Sequence, residues 1–329
     1  MLQDFLNNIP GGILERATQM NYHLDSELGR PAVDELLSRS VLSGGKRLRP
    51  LLTYVMGNLF GLEIERLDPY ARAIEMVHAA SLAHDDVVDE ASLRRGSPSI
   101  NSIAGNKKAV LAGDFLLADV IVGLTQTGEL KLVSEMAMVI QELALGEWLQ
   151  WDASHSRSYT AEIIEEIALK KTSSVMSWCA VAPAILAKLG ADEIECARTF
   201  GKHLGLAFQQ IDDTLDFSED GLKDQFLDLK NGIVNSVVFQ WLKDNPELLK
   251  RFQDGSNLEV ILSELNQGSI QNSLDVVKGC AQRNLEIASD SLEKIKEIWI
   301  EKLPEDTQRF ENSLEIVYVI ISYLANRSS

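Results

Sequence analysis

The chain has 329 residues, of which 45% are hydrophobic and 24% charged, as in ordinary soluble globular proteins. Its formal net charge of −18 argues against nonspecific nucleic-acid binding, which depends on neutralising phosphates, and against an electrostatic clamp on anionic lipid. Any phosphate that the chain binds must therefore be met by a local basic cluster or by metal ions.

The cysteines and the apolar runs bear on the compartment. Three widely spaced cysteines without a CxxC pair indicate a reducing environment rather than a disulfide framework or a zinc site. The N-terminal residues show no signal or transit pattern, and no apolar run is long and uncharged enough to cross a bilayer. We therefore expect a cytoplasmic protein without a transmembrane segment.

Helical spacing dominates the chain. Apolar residues recur at steps of three and four, as at Leu285, Ala288, Leu292 and Ile295, and alternation with a period of two is rare. Breaks that contain glycine or proline divide this pattern into about ten or more helices joined by short loops. No linker, low-complexity tract or solenoid-length repeat is evident. The sequence therefore predicts an all-α fold in which residues 1–329 form a single domain.

The first chemically distinctive segment, at residues 43–50, reads SGGKRLRP. Glycine lets a backbone approach an anion closely, and Lys46, Arg47 and Arg49 could hold a phosphate through charge-assisted hydrogen bonds. Arg94 and Arg95 form a second basic pair further along the chain. Each cluster alone is more often a solvated loop. In so acidic a chain, however, these are the places where an anion would be attracted.

Between these clusters, the sequence HDDVVDE begins at His84. On a helix, Asp85 and Asp89 stack one turn apart, with Asp86 beside them. Like charges at this spacing destabilise a helix, and the apolar neighbours argue against a generally solvated face. Mg²⁺ prefers oxygen ligands and usually shares them with substrate phosphates. The motif therefore indicates a magnesium site, with an acidic helix surface as the alternative.

A second copy of this spacing, formed by Asp212, Asp213 and Asp216, lies inside an apolar helical run from Leu204 to Phe217. Two acidic faces on mostly apolar helices are explained if they oppose each other across a cavity, with several divalent ions cancelling the repulsion. Beside two such motifs, a diphosphate site becomes the better interpretation of the basic clusters.

Together, GGKRLRP, HDDVVDE followed by two arginines, and FQQIDDTLD resemble the trans-isoprenyl diphosphate synthases, or polyprenyl synthetases, in order and spacing. The resemblance runs from about Gly44 to about Gly232 and includes GDF, GExxQ and Lys–Thr segments. It implies an all-α bundle of the isoprenoid synthase type around a deep central cavity, usually a homodimer. It also implies condensation of isopentenyl diphosphate onto an allylic diphosphate, dependent on several Mg²⁺ ions. It leaves open whether the protein contacts a membrane transiently to release its product.

The resemblance also assigns roles to individual residues. The expected Mg²⁺ ligands are Asp85, Asp86 and Asp89 for the allylic diphosphate and Asp212, Asp213 and Asp216 for a further ion. The positions that match the allylic diphosphate site are Arg94, Lys171 and Gln209, and those that match the isopentenyl diphosphate site are Lys46, Arg49, His78 and Arg95. Two more expected substrate-binding residues are Thr172, which follows the lysine as in the family, and Lys223, after the second motif. The expected catalytic residues are Lys171 and all of these aspartates except Asp216.

The chemistry of this reaction explains the residue types. Metal ions and cationic side chains neutralise the charge that develops on the leaving diphosphate. The proton lost at the end can go to the departed diphosphate, so no dedicated protein base is needed.

The segment after the second acidic motif departs from the family pattern. Ile233 stands where the family has a lysine, and Asn235 where it has a threonine, so one expected cation is missing. Lys230 lies three residues away and could partly substitute. Loss of one of several cations would lower the rate on the order of 10²-fold.

Product length should be set by the floor of the cavity. Ala80 and Ser81, one turn before Asp85, are small, whereas short-chain members often have bulky aromatic residues there. We therefore expect a product longer than geranylgeranyl diphosphate, as in octaprenyl or heptaprenyl diphosphate synthases, unless these are ordinary packing residues. Deeper floor candidates are Met76, Val77, Ala118 and Val122.

Two other functions stay open. A class I terpene cyclase would also bind one diphosphate through metal ions but needs no isopentenyl site, so GGKRLRP and the second acidic motif count against it. A catalytically weak partner subunit of a heteromeric prenyl diphosphate synthase is suggested by Ile233. Consumption of isopentenyl diphosphate by the purified chain alone separates these functions.

Overall fold

The computed structural model describes residues 8–20, 31–38, 40–42, 47–94, 97–217, 232–257, 260–261, 263–264 and 267–326. Most of them are helical. The α-helices are α1 (Gly11–Thr18), α2 (Pro31–Ser38), α3 (Leu48–Leu59), α4 (Asp68–Val88), α5 (Ile100–Ala104), α6 (Asn106–Gln126), α7 (Leu130–Ser156), α8 (Ala161–Ala168), α9 (Ser174–Leu186), α10 (Ala191–Leu215), α11 (Ser236–Asp244), α12 (Pro246–Gln253), α13 (Gln267–Lys302) and α14 (Thr307–Asn326).

Short elements complete this list. A π-helical turn, Leu169–Ser173, joins α8 to α9, and 3₁₀ turns at Ile64–Leu67 and Pro304–Asp306 precede α4 and α14. The strands in the described part of the chain form one antiparallel pair, β1 (Leu93–Arg94) and β2 (Ser97–Pro98). The prediction of an all-α fold with about ten or more helices is therefore confirmed.

The chain divides into two compact units. Unit 1 comprises Met1–Ile140, Trp178–Glu195 and Ile298–Val317, and unit 2 comprises Gln141–Ser177, Cys196–Glu297 and Tyr318–Ser329. The first acidic motif belongs to unit 1 and the second to unit 2. That residues 1–329 form a single domain stays a prediction.

In unit 1, α4 carries the first acidic motif. Asp68 and Pro69 begin it, because a carboxylate and the fixed φ of proline both favour a helix N-terminus. The Asp68 carboxylate also accepts hydrogen bonds from Tyr54 Oη (2.8 Å) and Arg16 Nε (2.9 Å). These bonds join the start of α4 to α3 and α1. After its first turn, α4 packs against α6. The buried residues of α4 are mostly small or aliphatic.

In unit 2, capping side chains set the starts of two helices. Thr160 Oγ1 accepts a hydrogen bond from Ile163 N (3.2 Å) at the start of α8, and Asn235 Oδ1 accepts one from Val238 N (2.9 Å) at the start of α11. The apolar face of α11 lies in a buried cluster with residues of α12 and α13. The first residue of α11, Ser236, is therefore held in a defined place.

One helix in the described part of the chain, α6, is long and apolar enough to cross a membrane by length and composition, with a mean hydropathy of 1.6 in its most apolar window. A third of that window is buried. The helix also carries Asp119, which accepts a hydrogen bond from Arg72 Nη1 of α4 at 3.2 Å. Core helices of soluble proteins meet the same criteria, so the absence of a transmembrane segment and the cytoplasmic location stay predictions.

Candidate functional site

Asp86, the second aspartate of the first motif, is fully buried in unit 1. Its Oδ1 accepts a hydrogen bond from Arg94 Nε at 2.6 Å, and Asn101 Nδ2 donates to its backbone oxygen at 2.8 Å. Burial raises the pKa of the Asp86 carboxyl, while the hydrogen bond and charge of Arg94 oppose that rise. Among the described residues, Oδ2 has no hydrogen-bond partner. Arg94, a predicted substrate-binding residue, is thus fixed beside the first motif.

The outer aspartates of this motif, Asp85 and Asp89, are half-buried and one helical turn apart, with Asp89 N donating to Asp85 O at 2.8 Å. No group of three or more His, Cys, Asp or Glu side chains within the described ranges is close enough to hold a metal ion. Mg²⁺ is usually bound by one or two carboxylates together with substrate phosphates and water, rather than by an all-protein cage. The oxygen donors of Asp85 and Asp89 fit such an ion.

The basic segment before α3 contains a side chain that serves packing. The Arg47 backbone is left-handed, and Nη1 donates to Glu75 Oε1 of α4 at 2.7 Å, while Nη2 donates to Leu42 O. Both members of the Arg47–Glu75 pair are almost completely buried. The prediction that Arg47 holds a phosphate is therefore wrong: its guanidinium compensates the buried carboxylate of Glu75, which would be costly to leave unpaired.

Arg49 and His78, both expected at the isopentenyl diphosphate site, are half-buried in unit 1. Arg49 lies near the fully buried Cys179, where burial raises the pKa of the thiol to about 12. That thiol is therefore a packing residue rather than a nucleophile. The other predicted cations of these sites, Lys46, Arg95 and Lys223, lie outside the described residues, as does Lys230.

The residues expected to set product length differ in burial. On α4, Met76, Val77 and Ala80 are fully buried within unit 1, as both a cavity wall and ordinary packing would require. On α6, Ala118 and Val122 are exposed in this chain. The expectation of a long product therefore stays a prediction.

Asp213, the second aspartate of the second motif, is buried in unit 2. Its Oδ2 accepts hydrogen bonds from Ser236 N (2.9 Å) and Ser236 Oγ (2.6 Å), and its Oδ1 accepts one from Gln209 Nε2 (2.9 Å). Burial raises the pKa of Asp213, and these hydrogen bonds oppose that rise. Of the outer aspartates, Asp212 is half-buried, and Asp216 is exposed and accepts a hydrogen bond from Asn235 Nδ2 (3.2 Å).

The π turn carries two predicted substrate-binding residues, as irregular helical turns at functional sites often do. Lys171 Nζ is paired with Glu147 of α7 and donates to Gln150 Oε1 at 3.2 Å. Thr172 Oγ1 donates to Gln209 Oε1 of α10 at 2.7 Å. Unit 2 therefore brings the predicted residues Lys171, Thr172, Gln209 and Asp213 into one hydrogen-bonded neighbourhood.

Sequence reasoning missed two residues of this neighbourhood. Glu147 was visible only as a letter of the GExxQ segment, whose spacing places it on the same helix face as Gln150. Ser236 follows Asn235, and an asparagine before an apolar run is a helix-start signal that could have indicated its position.

The comparison with protein families decides the relationship. A sequence profile described as polyprenyl synthetase matches residues 30–263. The chain belongs to the polyprenyl synthetase family. The resemblance inferred from the motifs is therefore confirmed, and the matched range includes both acidic motifs.

Sequence relatives in this family can be aligned with about three quarters of the chain. It is 33% identical over 264 residues to solanesyl-diphosphate synthase 1, mitochondrial, of Oryza sativa subsp. japonica, which covers 73% of this chain and 61% of the rice protein. It is 36% identical over 251 residues to a prenyl transferase of Synechocystis sp., which covers 73% of this chain and 78% of that protein. The chain therefore spans about 61% of the length of its rice relative.

The fold also matches a solved member of the family. The crystal structure of polyprenyl synthase from Caulobacter crescentus CB15, complexed with calcium and isoprenyl diphosphate, superimposes with a TM-score of 0.73. The two chains are 26% identical, and the match covers 98% of each. The predicted isoprenoid synthase type of all-α fold is therefore confirmed.

Proposed function

We propose that this polyprenyl synthetase condenses isopentenyl diphosphate with an allylic diphosphate, in a Mg²⁺-dependent reaction, to give a long-chain trans-polyprenyl diphosphate. The observation that carries the proposal is the common construction of the two acidic motifs. In each, the second aspartate is buried and held by hydrogen bonds, while the outer aspartates are partly or fully exposed. Burying a carboxylate is costly, so a merely solvated acidic helix would not show this arrangement twice.

The bonds broken and formed balance between the two substrates, without a protein base. The C1–O bond of the allylic diphosphate breaks, and its electron pair leaves with the diphosphate. The double bond of isopentenyl diphosphate attacks C1 to form the new C–C bond, and the proton then lost passes to the released diphosphate. Arg94 and Lys171 supply donors for diphosphate oxygens, which stabilise the developing charge. Water must be kept from the reacting carbons, because it would capture the cation.

The metal ligands of the proposal are carboxylates of the two motifs. The residues proposed to hold Mg²⁺ are the outer aspartates, Asp85, Asp89, Asp212 and Asp216. The expected ligands Asp86 and Asp213 are instead buried and hydrogen-bonded to side chains of their own units. When bound, Mg²⁺ neutralises charge on the leaving diphosphate. The calcium and isoprenyl diphosphate complex of the Caulobacter protein supports a divalent cation used together with a diphosphate.

A long product is supported by the relatives and by one feature of α4. The rice relative is named for solanesyl diphosphate synthesis. In this chain, the residues one turn before Asp85 are the small Ala80 and Ser81. A small side chain there leaves room for a growing chain, whereas an aromatic ring would fill it.

A homodimer is the proposed assembly. Large apolar side chains of unit 1 are exposed on α6, at Leu111 and Val122, and on α7, at Met138 and at Leu130, which is 75% exposed. Soluble monomers rarely leave large apolar patches in water, so we propose that a second copy of the chain covers them. Analytical ultracentrifugation should give twice the mass of one chain, and Leu111→Glu should give the monomer mass. A monomeric wild-type chain would contradict the assembly.

The deciding experiment incubates the purified chain with farnesyl diphosphate and labelled isopentenyl diphosphate, with Mg²⁺ or with a chelator. The expected result is a Mg²⁺-dependent series of products that ends beyond geranylgeranyl diphosphate, read by chromatography. A series that stops at geranylgeranyl diphosphate would keep the condensation and reject the long product. Cyclised hydrocarbon without incorporation of label would indicate the terpene cyclase.

No turnover of either substrate would favour the partner-subunit function. Ile233 is half-buried before the start of α11, near Asn235. In that case Ile233→Lys, which restores the cation expected in the family, should give incorporation of label by the chain alone.

A further inference from the structure

Two neighbouring ion pairs join the π turn to α7 in unit 2. Lys171 Nζ is paired with Glu147, and Lys170 Nζ with Glu142 Oε2 at 2.7 Å. Glu166 Oε1 lies 3.7 Å from Lys170 Nζ, and the hydrogen bond that Lys170 donates to Glu142 raises the pKa of its ammonium. Adjacent lysines are thus paired with glutamates of one helix, yet only Lys171 is a predicted substrate-binding residue.

The two pairs differ in their surroundings. The side chains of Glu147 and Lys171 are 18% and 24% exposed, whereas that of Glu142 is 42% exposed. Lys171 has a second acceptor on the same helix, Gln150 Oε1 at 3.2 Å. The Lys171 ammonium is therefore held from two points on one helix face, in a place with limited access to water.

The backbone of α7 also confines the lysine stem. A Cβ at Gly146 would lie 2.7 Å from Lys171 Cγ and 2.8 Å from Lys170 Cβ, closer than real contacts allow. Glycine at this position therefore lets α7 approach the π turn closely. The stem of Lys171 therefore lies against α7.

We propose that Glu147 is a positioning residue for Lys171. It holds the ammonium in place before the allylic diphosphate arrives, so that the lysine loses little freedom on binding. A lysine has three N–H donors, which allows an ammonium to keep a carboxylate partner while it binds a phosphate oxygen. Glu147 itself touches no reacting atom. This inference rests on the proposed function, because it concerns the binding of the allylic substrate.

The experiment compares Glu147→Ala and Glu147→Gln with the matched control Glu142→Ala in the full chain. We expect Glu147→Ala to lower kcat/KM for farnesyl diphosphate by about 10- to 100-fold, as loss of a supporting partner does at other sites. KM for isopentenyl diphosphate should stay within about twofold, because the change acts on one substrate. Glu147→Gln keeps an acceptor and the shape, so it should recover most of the loss, and Glu142→Ala should change neither parameter.

Three results would overturn the proposal: equal effects of Glu147→Ala and Glu142→Ala, a parallel rise in KM for both substrates, or no recovery in Glu147→Gln. If Glu147→Ala does not fold, Glu147→Met replaces it, because Met keeps the length of the side chain without the carboxylate acceptor. A normal kcat/KM for farnesyl diphosphate in Glu147→Met would then overturn the proposal.

A binding measurement keeps this test separate from that of the proposed function. Calorimetric titration of farnesyl diphosphate in the presence of Mg²⁺ reports on the Lys171 region even if the wild-type chain does not condense its substrates. Weaker binding in Glu147→Ala than in Glu142→Ala would support the inference, and equal binding would reject it. Absence of condensation by the wild type would count against the proposed function alone.

Discussion

The two acidic motifs have one sequence pattern but stabilise their buried aspartate in different ways. In unit 1, Asp86 is compensated by a charged group, Arg94, on the short strand β1. In unit 2, Asp213 accepts hydrogen bonds from neutral donors, the backbone and hydroxyl of Ser236 and the amide of Gln209. The comparison teaches that a buried carboxylate can be kept in place by one counter-charge or by several neutral hydrogen bonds.

The two arrangements tie each motif to a different part of its unit. Arg94 is itself a predicted diphosphate ligand, so the first motif is coupled directly to a substrate-binding side chain. Ser236 is the first residue of α11, so the second motif is coupled to the start of a helix whose apolar face is buried. Loss of each partner should therefore have a different cost.

The largest change in stability is expected from Arg94→Met, which leaves the fully buried Asp86 without its counter-charge. The free energy of unfolding, measured by urea denaturation, should fall by about 3–5 kcal/mol. Arg251→Met is the matched control, because Arg251 Nη1 lies at the same 2.6 Å from Glu264 Oε1 but both side chains are more than two-fifths exposed. It should cost about 0–1 kcal/mol. Equal losses of free energy in Arg94→Met and Arg251→Met would show that the buried ion pair stabilises the fold no more than an exposed one.

The outer aspartates should affect rate rather than stability. Asp85→Asn and Asp212→Asn each remove a proposed metal ligand and should lower kcat by about 10²- to 10³-fold at saturating Mg²⁺. The free energy of unfolding should stay within about 0.5 kcal/mol of that of the wild type. Asp152→Asn, at an exposed position of α7, is the control and should leave kcat unchanged. If a variant loses stability as well as rate, its aspartate has a structural role, and the proposed role as a metal ligand would be contradicted.

A smaller loss of stability is expected from Ser236→Ala. The substitution removes the hydroxyl donor to Asp213 but leaves the backbone donor of the same residue. The free energy of unfolding should therefore fall by about 1.5–3 kcal/mol. In the control, Ser156→Ala, the exposed hydroxyl that donates to Asp152 O at 2.6 Å is lost, at a cost within about 0.5 kcal/mol. A loss in Ser236→Ala as large as that in Arg94→Met would erase the difference between the two motifs.

The smallest effect is a dependence on pH. Because the pKa of Asp213 is raised in the folded chain above its ordinary value of 3.8, the folded state holds this proton more tightly than the unfolded state does. Protonated Asp213 therefore contributes to the free energy of unfolding. This contribution is full below pH 3.8, the ordinary pKa, and is lost as pH rises through the pKa of the folded state. Asp213→Asn removes this titration, so the stability of the wild type relative to the variant should fall from pH 3.5 to pH 7 in Mg²⁺-free buffer. A constant difference would exclude the shift.

Much of the fold could be predicted from local patterns. Helical periodicity and the near absence of alternation specify helices, because they reflect which face of an element is buried. The assignment to a family followed from motifs whose residues are close in sequence. The division into two compact units could not be read in this way, because it depends on which distant helices pack together.

The site was predictable in its residue types but not in its partners. Asp86 looks like its neighbours Asp85 and Asp89 in the sequence, and only packing distinguishes the buried carboxylate from the accessible ones. Glu147 lies 24 positions before Lys171, and no local rule pairs residues at that separation. Arg47 resembles the other cations of its segment, but its buried partner Glu75 is contributed by another helix.

The π turn makes this protein sensitive to changes in chain length at one place. Such a turn holds one residue more than an α-helical turn, and each α-helical residue advances by about 100° around the axis. The extra residue therefore rotates α9 about the helix axis relative to α8, so the buried face of α8 does not run straight on into that of α9. Deleting Leu169 or Ser173 would restore regular winding and turn Lys171 away from α7 or Thr172 away from α10. Substitutions on the exposed face of α8 carry no such penalty.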